Sequence, residues 1–155
     1  MNNNQAETIT TQIPALLPDG FLPPGIHLTT WEEFEQRYSW SMTRRTQLKG
    51  MKKALDEFKR AGCSKIYIDG SFVTGRNHPG DFDALYDLDE LIVDSIDKVL
   101  IDSSFSGREK QKKNYEGEFF PASAKADPYG NKYLDFFQKQ KKNKKPKGII
   151  KIELR

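Results

Sequence analysis

The sequence is poor in the residues that build disulfides and zinc sites. It has one cysteine, Cys63, and two histidines, His27 and His78. A single cysteine cannot form a disulfide within the chain, which fits a reducing compartment. Structural zinc sites take four cysteine or histidine ligands, so these three scattered residues argue against one. The sequence thus excludes a disulfide scaffold and gives no support to zinc chemistry.

Long apolar runs are also missing. A helix that crosses a membrane needs about 20 consecutive apolar residues, and no stretch of this chain approaches that length. Residues 1–5 carry neither the basic residues nor the apolar core of a signal peptide. These absences predict a cytoplasmic protein that does not enter a membrane.

Two common phosphate-binding motifs are absent as well. The chain contains neither a Walker-type phosphate loop nor Gly-x-Gly-x-x-Gly. A P-loop or a Rossmann dinucleotide site is therefore excluded, and any nucleotide chemistry must use another arrangement.

Charged residues are abundant and unevenly placed. They make up 30% of the chain, with a net charge of +3. Acidic residues crowd positions 81–102, whereas lysines crowd 110–113 and 139–151. An acidic site beside basic surfaces is typical of proteins that handle magnesium and phosphates. The alternative for each run is an ordinary solvated loop or helix face.

Composition predicts an N-terminal arm and a single domain. Residues 1–25 are rich in proline, which removes backbone donors, so we expect a partly disordered arm whose apolar residues can dock on the body. A single domain is predicted over 26–155, a length that can bury a core without disulfides.

The hydrophobic pattern predicts two early helices. Thr29 or Thr30 can cap a short helix that runs to about Tyr38. An amphipathic helix is predicted over 43–61 with Gly62 as its stop, and its basic face is expected to be solvated.

Strand patterns predict a twisted mixed sheet of about four to five strands flanked by helices, in an α/β or α+β fold. A turn is expected at 127–131 and a short aromatic segment at 133–138. We further expect a helix over 87–101 and a linker over 108–114. The predicted strands are 64–69, 81–86, 116–122 and 148–154.

One group of residues has the side chains and spacing of a catalytic or binding site. A predicted strand runs into Gly70-Ser71, and the next predicted strand carries Asp81-Phe82-Asp83. Glycine permits a sharp turn and a close approach of the backbone to a phosphate, while serine supplies a hydroxyl. Aspartates at i and i+2 of a strand share one face, and paired carboxylates are ligands that Mg²⁺ prefers together with substrate phosphates.

This arrangement resembles the nucleotidyltransferase signature of the polymerase-β-like superfamily, in which Gly-Ser precedes two acids that flank an apolar residue. The wider chain is similar to a small bacterial and phage family assigned to that fold. The stretches that carry this second likeness are 22–25, 69–74, 80–83, 118–122, 135–138 and 147–150.

The resemblance implies a function. Asp81 and Asp83 would hold Mg²⁺ or Mn²⁺, and Gly70 and Ser71 would hold the phosphates of a nucleoside triphosphate such as ATP. The protein would transfer a nucleoside monophosphate to a hydroxyl on RNA (tRNA included), a protein or a small molecule. The resemblance also hints at a toxin-like or phage-defence role with a cognate partner protein.

The chain departs from the superfamily pattern before and after Gly-Ser. Asp69 stands where an apolar residue usually precedes the glycine, and it either adds charge to the site or faces solvent. No arginine follows the serine directly, so Arg76 is the nearest candidate for a triphosphate clamp.

Active members usually carry a third carboxylate on a neighbouring strand. Glu118 is the preferred candidate here, and Glu153 is the alternative. If this acid is missing, the chain is expected to be a catalytically degenerate nucleotide sensor or a partner-binding module of the toxin–antitoxin type.

The lysine-rich loop at 139–147 has two interpretations. It can bind a nucleic-acid backbone by releasing counterions, or it can be a solvated loop.

Overall fold

A five-stranded mixed sheet organises residues 13–155, the part of the chain that the computed structural model describes. Its strand order is β1-β5-β2-β3-β4. Strand β2 is antiparallel to both of its neighbours, β5 and β3. The two outer pairs, β1 with β5 and β3 with β4, are parallel. The strands are β1 (Gly25–Thr29), β2 (Lys65–Asp69), β3 (Phe82–Tyr86), β4 (Gly117–Pro121) and β5 (Gly148–Glu153).

Among the described residues, four α-helices accompany the sheet, and the mixed α/β fold class predicted from the sequence is confirmed. Helix α1 is capped by Thr30, whose side chain accepts a hydrogen bond from the Glu33 amide. Helix α2 ends within one residue of its predicted limit, and Gly62 follows it with a φ of +94°. The helices are α1 (Trp31–Arg37), α2 (Met42–Arg60), α3 (Phe105–Tyr115) and α4 (Tyr133–Phe136).

The principal core lies between one face of the sheet and helices α2 and α3. Alternate strand residues point into it, as the period of two requires. On β3 these residues are Phe82, Ala84 and Tyr86, all buried as predicted. Phe58 of α2 stacks on Tyr86 with ring centroids 5.0 Å apart, so the long helix fixes the position of the strand that carries Asp83.

The opposite face of the sheet has a smaller apolar cluster beside the acidic residues. Tyr67, Leu85 and Phe120 belong to it. Tyr133 of α4 stacks on Phe120 with centroids 4.8 Å apart. The aromatic segment predicted at 133–138 therefore forms a short helix that covers this face and leads into the lysine-rich loop.

The helix expected over 87–101 is wrong. Residues 93–95 and 98–101 form single 3-10 turns instead. Asp87 accepts a hydrogen bond from the Asp89 amide, and Asp97 accepts one from the Val99 amide. Aspartate side chains that bind nearby amides compete with helical hydrogen bonding, which explains the interruption.

The linker expected over 108–114 is also wrong, because these residues lie inside α3. Ser104 caps the helix by accepting from the Gly107 amide. Buried Gln111 then donates to the Val99 and Asp102 carbonyls and accepts from the Phe119 amide. Tertiary contacts, not amphipathic pattern, hold this lysine-rich helix.

Strand β4 begins one residue later than predicted. Glu116 adopts a left-handed conformation, with a φ of 72°, and ends α3. Glu116 therefore lies outside β4. It does not share a strand face with Glu118, as the predicted strand over 116–122 would require.

The N-terminal arm is described from residue 13 onward, and the prediction for residues 1–12 lies outside the described residues. Ile13 and Leu22 are buried. Arg37 donates to the carbonyls of Ile13 and Pro14 at 2.8 and 2.9 Å. Strand β1, which the sequence pattern does not predict, follows this docked segment and forms one edge of the sheet.

Within residues 13–155, no helix combines the length and apolar character needed to cross a bilayer.

Candidate functional site

The Gly-Ser turn lies at the end of β2, where the chain leaves the sheet. Gly70 has a φ of +86°, a conformation that side chains disfavour. A Cβ atom at this position would lie 2.7 Å from the Oδ2 atom of Asp83. Glycine is therefore required both for the turn and for the approach of the backbone to the carboxylate.

Ser71 opens a single 3-10 turn, Ser71–Val73. Its hydroxyl donates to the Asp81 carbonyl at 3.3 Å. Thr74 donates to the Ser71 carbonyl at 2.6 Å. These contacts tie the turn directly to the segment that carries the first aspartate.

Strand register places three carboxylates, those of Asp69, Asp83 and Glu118, on one face of the sheet. Asp83 pairs with Asp69 on β2 and with Glu118 on β4, and residues that face each other across strands share a sheet face. Asp81 immediately precedes β3. Glu118 is thus placed beside the aspartate pair.

Glu153 is not brought to this place. It pairs with Lys65, at the end of β2 opposite Asp69. At roughly 3.3 Å per residue along a strand, that register separates it from the aspartates by more than a side chain can bridge.

The cluster strongly favours a proton or a cation. Burial, followed by the charges of Asp81, Asp69 and Glu118, raises the pKa of Asp83 to about 7. Burial also raises the pKa of Asp81, against the opposing charges of Lys112 and Lys141. Carboxylates in such surroundings are stabilised by any positive ligand that enters among them.

Asp69 does not face solvent, which answers one question left open by the sequence. Its side chain is fully buried, and both carboxylate oxygens accept from the Lys147 ammonium at 2.6 and 2.7 Å. Burial still raises the pKa of Asp69 to about 6, although Lys147 opposes the shift. No sequence pattern pairs these residues, because they are far apart in the chain.

A cleft of about 740 Å³ brings five of the predicted residues together, whereas Glu118 and Glu153 are not part of its lining. Its volume is within the usual range of about 300–1,000 Å³ for small-molecule sites. Its lining combines an acidic wall, the Gly-Ser turn and several lysines of the late loop. The predicted residues among the lining are Gly70, Ser71, Arg76, Asp81 and Asp83.

The spacer between Gly-Ser and the aspartates is held by a buried arginine on α2. Arg44 is fully buried and donates to the carbonyls of Phe72, Thr74 and Arg76 at 2.7 to 2.9 Å. Its guanidinium also lies 3.8 Å from the centroid of the Trp40 ring. Helix α2 therefore holds the segment that forms one wall of the cleft.

Arg44 corrects the expectation that the basic face of α2 is wholly solvated. A signal was present in the sequence, since Arg44 lies in phase with Leu48, Met51, Leu55 and Phe58 on the apolar stripe. A charged residue in that phase points into the core, where it must find partners.

The lysine-rich loop is an ordered hairpin. Its two ends are joined by a hydrogen bond from the Lys147 amide to the Gln138 carbonyl at 2.8 Å, and Gln140 and Lys145 are bonded likewise. We call residues 138–147 the lysine hairpin. Lys139, Lys141 and Lys142 line the cleft opposite the acids.

The donor set fits a hard divalent cation. Carboxylate oxygens suit Mg²⁺, which commonly takes one or two carboxylates and completes its shell with water and phosphates. Among the described residues, no group of three or more His, Cys, Asp or Glu side chains is arranged to hold a metal ion. Asp81 and Asp83 supply carboxylate oxygens of the kind that Mg²⁺ takes.

Comparison with known families places residues 14–153 under the model of DUF6932, a family of unknown function. The chain belongs to that family. No curated protein and no solved structure matches the chain. The family match spans nearly all of the described residues. It therefore covers the sheet, the cleft and the lysine hairpin.

Proposed function

We propose that this DUF6932 protein is a magnesium-dependent nucleotidyltransferase. It would move a nucleoside monophosphate from a nucleoside triphosphate to a hydroxyl acceptor and release pyrophosphate. The observation that carries the proposal is the shared cleft: Gly70, Ser71, Asp81 and Asp83 line it together, and strand register places Glu118 beside Asp83.

Each wall of the cleft has a proposed task. Asp81 and Asp83 would hold the metal, whose charge would stabilise the phosphate oxygens during transfer. The Gly70-Ser71 turn brings backbone and hydroxyl groups to the phosphates, and Arg76 neutralises the triphosphate from the cleft edge. Lys141, whose charge already acts on Asp81 and Asp83, is a further cation for the phosphates.

Glu118 is the proposed proton acceptor for the attacking hydroxyl. In the transfer step the acceptor oxygen bonds to the α-phosphorus, and the bond from that phosphorus to pyrophosphate breaks. The hydroxyl proton passes to the carboxylate. The Lys112 ammonium lies 3.8 Å from the Glu118 carboxylate.

Labelled transfer tests this proposal. The protein is incubated with each α-labelled triphosphate, Mg²⁺ or Mn²⁺, and tRNA or cell lysate. We expect transfer of label that disappears in Asp81→Asn and Asp83→Asn. Asp94→Asn, at a fully exposed position, is the matched control and is expected to keep the activity. Transfer that persists in both cleft variants would refute the assignment.

A second function is favoured by one observation. The described residues contain no preassembled three-carboxylate metal group, which suits a protein that binds nucleotide without turning it over. Such a chain would act as a nucleotide sensor or as a module that binds a partner protein. Thermal unfolding with ATP and Mg²⁺ separates the two: stabilisation that needs Asp83, without label transfer under any condition, supports the sensor.

A further inference from the structure

An exposed tyrosine stands on a hydrogen-bonded turn that precedes α4. We call residues 127–131 the tyrosine turn. The Asp127 carboxylate accepts hydrogen bonds from the amides of Tyr129 and Asn131 and from the Asn131 side chain, at 2.7 to 3.1 Å. Tyr129 itself is 90% exposed. The backbone is thus fixed while the aromatic ring lies in water, where it contributes nothing to the core.

The lysine hairpin presents a dense positive surface. No aspartate or glutamate occurs in the sequence between Asp135 and Glu153. Hydrogen bonds within the hairpin, including one from the Lys144 amide to the Gln140 carbonyl at 2.9 Å, hold its backbone in a defined shape. Its exposed lysines are Lys139, Lys141, Lys142, Lys144 and Lys145.

The hairpin and the tyrosine turn are neighbours. Helix α4 joins them: it begins two residues after the tyrosine turn, and the Lys144 ammonium lies 6.0 Å from the centroid of its Phe136 ring. A β-bridge joins Lys125 and Lys132 at the base of the turn and adds two more cations. Phe136, Lys141 and Lys142 line the cleft, so α4 and its flanking lysines lie between the turn and the cleft.

We propose that this surface binds single-stranded nucleic acid, with the backbone phosphates on the hairpin lysines and a base stacked on Tyr129. Proteins that bind single strands combine a positive track with aromatic rings on which bases stack. A duplex offers the phosphates but hides the base faces, so it would use the lysines without the tyrosine. The surface requires neither metal nor triphosphate, and it therefore does not depend on the proposed transfer chemistry.

Fluorescence anisotropy with labelled oligo-U and oligo-dT tests the proposal. Strands of about 20 nucleotides exceed the usual site of about 4–16 nucleotides. The assay uses the full chain without triphosphate or Mg²⁺. We expect single strands to bind more tightly than a duplex of equal length. Comparison of the two oligonucleotides shows whether the 2′-hydroxyl contributes.

Two matched sets of variants locate the site. Tyr129→Ala is expected to weaken binding about tenfold through lost stacking, whereas Tyr129→Phe keeps the ring and the affinity. Lys142→Ala combined with Lys144→Ala is expected to reduce the slope of log K against log salt by about 1.4. Lys49→Ala combined with Lys59→Ala removes the same charge from exposed positions on α2 and is expected to leave that slope unchanged.

Three results would overturn the proposal: equal affinity for duplex, no effect of Tyr129→Ala, or the same loss in both lysine pairs. Asp83→Asn separates it from the transferase proposal, because that variant is expected to lose label transfer and keep strand binding. Label transfer by a protein that fails to bind single strands would reject this surface and leave the transferase intact.

Discussion

At the scale of single residues, Gly70 and Asp83 determine the geometry of the cleft together. The aspartate carboxylate occupies the space that a side chain at position 70 would need. The close contact brings the Gly70-Ser71 turn and strand β3 within reach of one ligand.

Replacing Gly70 with alanine is expected to damage both stability and binding. The added Cβ meets Asp83 Oδ2 at 2.7 Å, and the positive φ of 86° alone costs about 1–2 kcal/mol. Gly80→Ala is the matched control, because nothing lies within 4 Å of its Cβ position. Urea unfolding and ATP–Mg²⁺ thermal shifts measure both effects. Equal behaviour of the two variants would show that the turn tolerates a side chain.

Asp83 is expected to make folding stability depend on pH. Its pKa rises from 3.8 in the free group to about 7 in the fold. Between these values the folded protein retains a proton that the unfolded chain has lost, so stability falls as pH rises through this window. Asp83→Asn should therefore be more stable than the wild type by about 4 kcal/mol above the folded pKa. The gain should vanish below the unfolded pKa.

Urea unfolding across that pH range measures the difference, with Asp94→Asn as the control that follows the wild type. Parallel curves for Asp83→Asn and the wild type would contradict the burial of this charge.

At the scale of elements, α2 supports the loop that forms one wall of the cleft. Arg44 binds three loop carbonyls, and Gln47 donates to the Pro79 carbonyl at 2.7 Å. Burial lowers the pKa of Arg44 to about 10, and the guanidinium therefore remains charged at neutral pH. The helix and the loop form one unit.

Arg44→Lys is expected to destabilise the fold by about 2–4 kcal/mol, because an ammonium cannot replace the planar fork and leaves buried carbonyls unpaired. Arg45→Lys is the control at the adjacent exposed position. Hydrogen exchange over residues 72–80 should accelerate in Arg44→Lys alone. Unchanged exchange in that loop would mean that α2 does not hold it.

At the scale of the whole molecule, the pair of Asp69 and Lys147 joins β2 to the end of the lysine hairpin. Both side chains are almost completely buried. Removing one partner of a buried pair leaves an uncompensated charge, whereas replacing both with apolar residues is often tolerated.

Lys147→Met is therefore expected to cost about 3–5 kcal/mol at neutral pH. Adding Asp69→Leu should recover much of that loss, because no buried charge remains. Denaturant unfolding of the two single variants and the double variant measures the coupling. Additive losses would show that the two groups act independently. Lys52→Met combined with Asp56→Leu, at an exposed ion pair on α2, is the matched control and should show little coupling.

Much of the fold was predictable where local patterns are strong. Helix α2 and strands β2, β3 and β5 follow from clear periods of apolar residues. The pattern did not predict β1, because an edge strand after two prolines carries little signal of its own. Residues 87–101 and 108–114 differ from the prediction for two reasons. Aspartates that accept from amides two residues away interrupt the first segment, whereas the contacts of Gln111 with Val99 and Phe119 hold the second in a helix.

The sequence by itself determined the mixed fold class, the Gly70-Ser71 turn and the closeness of Asp81 and Asp83 at the start of β3, because these depend on local backbone geometry. Only the tertiary structure decided which late acid joins them. Glu118 and Glu153 both follow strand patterns, and pairing between distant strands places the first beside Asp83 and the second at the far end of β2. The same long-range pairing buried Asp69 against Lys147 and brought the lysine hairpin over the cleft.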